Sequence, residues 1–251
     1  MRQNWPERLW LVRHGESAGN VARDAAQAAG LARIDLAQRD ADVPLSARGE
    51  QQAEALGHWF AAQAPEARPE VLLTSPYRRA RQTAEHLRRA GALAGDGPEL
   101  APDERLREKE FGILDRLTIA GIRELEPEQA EFRRLLGKFY HRPPGGESWC
   151  DVILRLRSAL DTISLHHQGQ RVVIVCHQVI VLCFRYLLEQ LDEERLLAID
   201  REEQVANCSV TEYRFDPALG RMRLERFNFV TPLRQEQAPV TTAPDANVAA
   251  R

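Results

Sequence analysis

Two short apolar runs far apart in the chain, Leu9-Trp10-Leu11-Val12 and Val172-Val173-Ile174-Val175-Cys176, constrain the fold more than any other feature. Each is too short for a buried helix, is rich in strand-forming side chains, and carries no polar residue on either alternating face. A strand that is apolar on both faces needs helices above and below it, which is the condition of a parallel sheet. Val71-Leu72-Leu73 is a third, weaker run of this kind. Helical patterns separate the runs. Ser46 is placed to cap a helix carrying Ala53, Leu56 and Phe60 at three- and four-residue spacing. Ser75-Pro76 has the form of a helix start, with Ala80, Thr83, Ala84 and Leu87 along one face. A third helix is expected from about Glu147 and Ser148, after the turn Pro143-Pro144-Gly145-Gly146. A fourth follows His177 through Val181, Phe184, Leu187 and Leu188. The alternation predicts an α/β fold, a three-layer α/β/α sandwich around a mainly parallel central sheet.

Some stretches depart from the alternation. Residues 104–142 are charged and broken by Gly112, Gly121 and Pro127, which predicts a helical insertion over one edge of the sheet. Segments 205–215 and 221–229 read as a C-terminal β-hairpin around Asp216-Pro217-Ala218-Leu219-Gly220. Residues 21–43 match no pattern and read as a loop, and 232–251, with Pro239 and Pro244 among small polar residues, as a disordered tail. One domain is expected over 1–231. With 34 basic against 37 acidic residues and a net charge of −3, no global field favours nucleic acid or an anionic membrane. An anion site must therefore be a local cluster. No apolar run reaches the roughly 18 residues of a membrane span, and the opening MRQNWPERLW lacks a signal-peptide core. Cysteines 150, 176, 183 and 208 have no C-x-x-C spacing. A reduced, cytoplasmic protein is expected.

In an open parallel sheet, ligands bind outside the carboxyl ends of the strands. Arg13-His14-Gly15 follows the first run, Ser75 to Arg79 follows the second candidate, and His177 ends the last. The fold thus gathers two histidines and two arginines on one rim. Arg79 falls in the first turn of its helix, where a cation opposes the helix dipole unless an anion binds there. Arg78 and Arg81 read as long side chains reaching water. His58, His86, His141, His166 and His167 read as surface or packing residues. Asp35, Asp40 and Asp42 lack a ligand spacing and read as solvated charge rather than a metal site.

The same residues carry a family resemblance. Arg13-His14-Gly15-Glu16-Ser17 with Asn20 resembles the RHG signature of the histidine phosphatase superfamily, which includes the cofactor-dependent phosphoglycerate mutases. Pro44-Leu45-Ser46-Ala47-Arg48-Gly49 resembles the segment opening its first helix. Thr74-Ser75-Pro76-Tyr77-Arg78-Arg79-Ala80 with Gln82-Thr83-Ala84 resembles its second arginine motif. Leu106-Arg107-Glu108-Lys109-Glu110-Phe111-Gly112 resembles its acid motif, and Gly146-Glu147-Ser148 and His177 follow in order, extended by Asn207-Cys208-Ser209. A lone RHG would say little; six motifs in order are specific.

The resemblance implies a mechanism. His14 would attack phosphorus and become phosphohistidine, its other ring nitrogen holding a proton against a backbone carbonyl. Arg13, Arg79 and a protonated His177 would surround the phosphoryl oxygens, with Asn20 as a neutral donor. Glu108 would protonate the leaving alkoxide and then serve as base for water. Without the resemblance, Glu108 reads as part of a solvated charged segment. No cofactor or metal is implied, because two arginines and an imidazolium supply the charge. Gln178 is a departure: the mutases continue the second histidine with glycine, and His-Gln is closer to the fructose 2,6-bisphosphatase branch and related phosphatases. The expected activity is therefore a metal-independent phosphatase acting on small phosphorylated metabolites or a phosphoprotein. Phosphoglycerate mutase and a non-catalytic phosphate-recognition or scaffold module are the rivals.

Overall fold

A computed structural model describes residues 5–93 and 100–242. The strands are β1 (Arg8–Arg13), β2 (Val71–Thr74), β3 (Ala101–Pro102), β4 (Arg171–Cys176), β5 (Val210–Asp216) and β6 (Arg221–Phe229). They form a sheet in the order β3-β2-β4-β1-β5-β6. The first four are mutually parallel, and β5 and β6 add an antiparallel hairpin at the far edge. β3 has only two residues and ends in Pro102, which lacks the N–H needed to continue a ladder.

Alternation along β1 and β4 divides the interior between two helical layers. Leu9, Leu11, Val172, Ile174 and Cys176 face a cluster containing Val152, Leu156, Leu160 and Ile163 of α6 (Trp149–His166) and Ile180, Val181 and Phe184 of α7 (Gln178–Glu189). Trp10, Val12, Val173 and Val175 face Ala53, Leu56 and Phe60 of α2 (Ala47–Ala61) and Ala80, Ala84 and Leu87 of α3 (Arg78–Arg89). Complete burial of each such Val, Leu or Ile contributes roughly 1.5–3 kcal/mol. The chain leaving β1 enters the α2 layer, whereas the chain leaving β4 enters the α7 layer. These neighbouring strands send their connections to opposite faces, which opens a crevice beyond their carboxyl ends.

Between β1 and α2 the chain forms α1 (Ala18–Ala28) rather than a continuous loop over 21–43. Ser17 and Asn20 close a capping box at its start, and a run of alanines supports it. The stretch after β3 contains α4 (Ile119–Leu125) and α5 (Pro127–Tyr140), and α5 lies against α6. α8 (Glu193–Glu202) precedes the hairpin.

Two further expectations are corrected. α3 starts at Arg78, with Tyr77 as N-cap, not at Ser75-Pro76. Ser75 is still tied to the sheet through its N–H to Val175 O at 2.9 Å, so the chain turns only after it. The tail expected to be disordered from 232 has a helical start and makes specific contacts up to Thr241, although most of its side chains between 234 and 242 are exposed. A short helix, α9 (Thr231–Gln235), buries Pro232 and Leu233, and Leu233 joins the α2 side of the core. One buried leucine outweighs the polar composition around it. The expectation for 243–251 lies outside the described residues. Among the described residues, no helix is long and apolar enough to cross a membrane.

Candidate active site

Arg13 pairs in register with Cys176, so His14 and His177 leave adjacent strands side by side. Both histidines and Arg13 are fully buried. The imidazole rings meet edge to face with centroids 5.0 Å apart, and Tyr77 flanks His177 on another side at 5.2 Å.

His14 Nδ1 lies 2.6 Å from Gly15 O. A carbonyl oxygen only accepts, so Nδ1 carries the ring proton and Nε2 keeps a lone pair. Arg79 Nε donates towards that lone pair at 3.2 Å. His14 N–H is bonded to Cys176 O at 2.9 Å, and Gly15 N–H to Thr83 Oγ1 at 3.1 Å. Gly15 itself is required by close approach: a Cβ there would lie 2.5 Å from Gly49 O, and one on Gly49 would lie 1.9 Å from Glu16 O. The start of α2 is thereby pressed against the loop carrying the histidine. Glu16 accepts from Ser46 Oγ at 2.7 Å and pairs with Arg48, fastening the same contact.

His177 Nε2 is 2.8 Å from Ser75 Oγ, which links the ends of β4 and β2. Arg13 donates to Val205 O. Asn20 Oδ1 accepts from Ser17 N and Oγ, so only its amide N–H groups can be offered to an anion. Gln178 donates to Gln204 Oε1 at 3.3 Å.

Arg79 stands in the first turn of α3, closer to the helix start than the sequence suggested, and is only 2% exposed. Its guanidinium grips Asp40: Nη1 and Nη2 reach the two carboxylate oxygens at 3.0 Å each, and Nη1 also donates to Asp40 O at 2.6 Å. Asp40 was expected to be solvated charge; instead its carboxylate takes up the fork of this arginine. Asp42 does form an exposed pair with Arg39, and Arg78 and Arg81 face solvent.

Glu108 is 1% exposed, and its Oε1 accepts from Lys109 N at 2.8 Å. The charged segment around it is thus not a solvated surface at this position. Lys109 is buried, its ammonium 4.3 Å from the centre of the Phe111 ring. Burial, helped by nearby Arg133, pushes its pKa down to about 8. Glu147, expected only to begin a helix, holds this segment in place: it accepts from Arg107, from Arg155 and from Glu110 N. Although burial opposes it, these contacts keep the Glu147 carboxyl below its ordinary pKa, Arg155 first among them. Tyr77 Oη donates to Glu110 at 2.7 Å and so joins the segment to the start of α3. Burial, then Glu110, pushes the Tyr77 phenol well up, and it stays protonated.

Sequence reasoning missed Gln52 and the partnership of Asn207. Asn207 Nδ2 donates to His14 O at 3.1 Å, and Gln52 Oε1 accepts from Glu16 N at 2.8 Å. Gln52 lies four residues before Leu56 on the face that α2 buries, and a polar residue on an apolar face was the available signal.

The family model for the histidine phosphatase superfamily (branch 1) matches residues 9–229. A curated relative, "Probable phosphoglycerate mutase GpmB" of Escherichia coli, is 30% identical over 213 residues, covering 84% of this chain and 86% of the relative. Among solved structures, Bacillus stearothermophilus YhfR superposes with a TM-score of 0.71 at 28% identity, covering 90% of this chain and 98% of that one. A mycobacterial glucosyl-3-phosphoglycerate phosphatase, solved with VO3, superposes with a TM-score of 0.66 at 26% identity, covering 89% and 99%.

Proposed function

The chain belongs to branch 1 of the histidine phosphatase superfamily, and from that premise we propose that it hydrolyses phosphate monoesters of small metabolites through a phosphohistidine on His14. The observation that carries this reading is the His14 tautomer: Nδ1–H is committed to Gly15 O, and Nε2 turns its lone pair towards Arg79. An imidazole held in this way is a nucleophile prepared before substrate arrives. A phosphoryl group at Nε2 would be received by Arg79 and Arg13, with His177 as a further donor when protonated. Phosphate offers Arg79 the same bidentate geometry as Asp40 with more negative charge, so substrate takes the place of that carboxylate. His14 Nε2 forms its bond to phosphorus as the ester oxygen departs. Glu108 supplies that oxygen with a proton, then removes one from the water that releases phosphate.

The phosphatase named among the solved relatives acts on a phosphorylated metabolite, and Gln178 after the second histidine favours transfer to water. The phosphoglycerate mutase name of the E. coli relative favours a second reading, in which the phosphoryl group returns to substrate. Incubation with 3-phosphoglycerate and analysis of products separates them: inorganic phosphate supports hydrolysis, 2-phosphoglycerate the mutase. A cytoplasmic location belongs to the same proposal and is compatible with the four free cysteines, three of them buried.

Rapid quench into base with phosphorus-labelled substrate tests the intermediate. Label should appear on His14 within the first turnover and be lost in acid, and His14→Ala should lack both label and turnover. Undiminished turnover by His14→Ala would end this reading.

A further inference from the structure

The two peptide groups flanking the His14 turn are held by buried amides, and both amides continue into the C-terminal segment. Asn207 Nδ2 donates to His14 O, while Asn207 Oδ1 accepts from Thr241 Oγ1 at 3.0 Å. Gln52 Oε1 accepts from Glu16 N, while Gln52 Nε2 donates to Thr241 Oγ1 and to Pro239 O, each at 2.8 Å. Asn207 N closes the arrangement by donating to Thr241 O at 2.8 Å. Both amides are fully buried. Leu233 packs the segment against α2, and the Ala238 N–H to Leu233 O bond of 2.8 Å holds the turn that follows it.

A hydroxyl has one proton to donate and lone pairs to accept with. Thr241 spends the proton on Asn207 Oδ1 and accepts from Gln52 Nε2, and so ties the two amides to each other. The backbone sets the orientation of each amide: the His14 carbonyl takes the Asn207 NH2, and Gln52 must turn its oxygen to the Glu16 N–H and its NH2 to Pro239 O. Rotating either amide would oppose oxygen to oxygen or N–H to N–H, at the cost of an unmade buried hydrogen bond. We propose that Thr241 is a positioning residue for the nucleophile, setting through Asn207 and Gln52 the backbone that carries His14. The inference rests on His14 being the nucleophile. It gives the C-terminal segment a role in the phosphoryl-transfer step rather than in substrate binding.

The test compares Thr241→Val, which keeps the shape and removes the hydroxyl, with Thr241→Ser, which keeps the hydroxyl. Three quantities are measured in the full chain: the pre-steady-state rate of His14 phosphorylation by p-nitrophenyl phosphate, the inhibition constant of inorganic phosphate, and Tm. Thr241→Val should slow phosphorylation roughly 10- to 100-fold, the scale of a small misplacement of reacting groups. Its phosphate inhibition constant should change less than about twofold, because Arg79 is untouched, and Thr241→Ser should restore the rate. An unchanged rate in Thr241→Val overturns the inference, as does equal loss of rate in both variants. A parallel loss of phosphate affinity overturns it too, since that is the mark of general loosening. If Thr241→Val does not fold, Thr241→Ala and Gln52→Glu are used, and a normal phosphorylation rate in both has the same force. Absence of phosphohistidine in the parent enzyme is a different result, and removes the functional reading itself.

Discussion

The rim of the sheet and the segments laid over it are built on different principles. At the rim, Arg13, His14 and His177 are fully buried, and His14 and His177 are fixed by a carbonyl, a hydroxyl and the register of β1 against β4. Over it, Asp40 is 40% exposed and Glu110 is 47% exposed. The inserted helix α5 leaves Phe132, Leu135 and Leu136 about half or more open to water. The rim histidines are held at the ends of paired strands, by a backbone carbonyl and the Ser75 hydroxyl, whereas cover groups are held mainly by other side chains. On the proposed function, the rim would carry chemistry common to every substrate, and the cover would choose among substrates. Glu108 is the instructive exception, a buried group on the covering segment.

Glu108 gives the largest effect by which this contrast can be sharpened. Glu108→Gln keeps the shape but cannot transfer a proton. It should slow phosphorylation of His14 by an alkyl phosphate roughly 10²–10⁴-fold, as for a positioned acid. Phosphorylation by p-nitrophenyl phosphate, whose leaving group needs little help, should slow far less. Equal slowing of both bursts would assign Glu108 to organising the cover, with Glu110 the next acid to examine.

At the rim, Arg79→Ala should lower kcat/KM by at least ~10²-fold for every substrate, the contribution of one preorganised donor. The neighbouring Arg78, which faces solvent, should matter little. Should Arg78→Ala and Arg79→Ala behave alike, burial at the start of α3 does not separate function from surface.

A smaller effect of opposite sign is expected from Asp40→Asn. Removing the carboxylate that competes for Arg79 should lower KM and the inhibition constant of phosphate roughly two- to fivefold, the scale of a partly exposed ion pair. Unchanged values for both would mean that Asp40 does not leave the site when phosphate binds. The smallest effect is expected from EDTA, which should leave activity within about twofold, because guanidinium and imidazolium groups supply the charge a metal would otherwise provide. Loss on chelation with recovery on adding a divalent ion would break the assignment of the rim as complete in itself.

By itself the sequence determined the parts of this protein that are written in short-range pattern. Runs apolar on both faces, such as Val172 to Cys176, admit only a strand between two layers, and the residue ending each such strand must lie on the carboxyl rim. The placement of His14, His177 and Arg79 on that rim was therefore legible from sequence pattern, and the resemblance across six motifs added Glu108 as a candidate. What only the tertiary structure decided are pairings between residues distant in the chain, which carry no local signal. Ser75 reads as a helix cap until the sheet claims its N–H and His177 its hydroxyl. Asp40 reads as solvated until Arg79 is seen to grip it. Segment 232–242, polar and proline-containing, has the composition of a disordered tail. Its order comes from one leucine entering the core and one hydroxyl meeting two buried amides, and both partners are supplied by parts of the chain that only folding brings near.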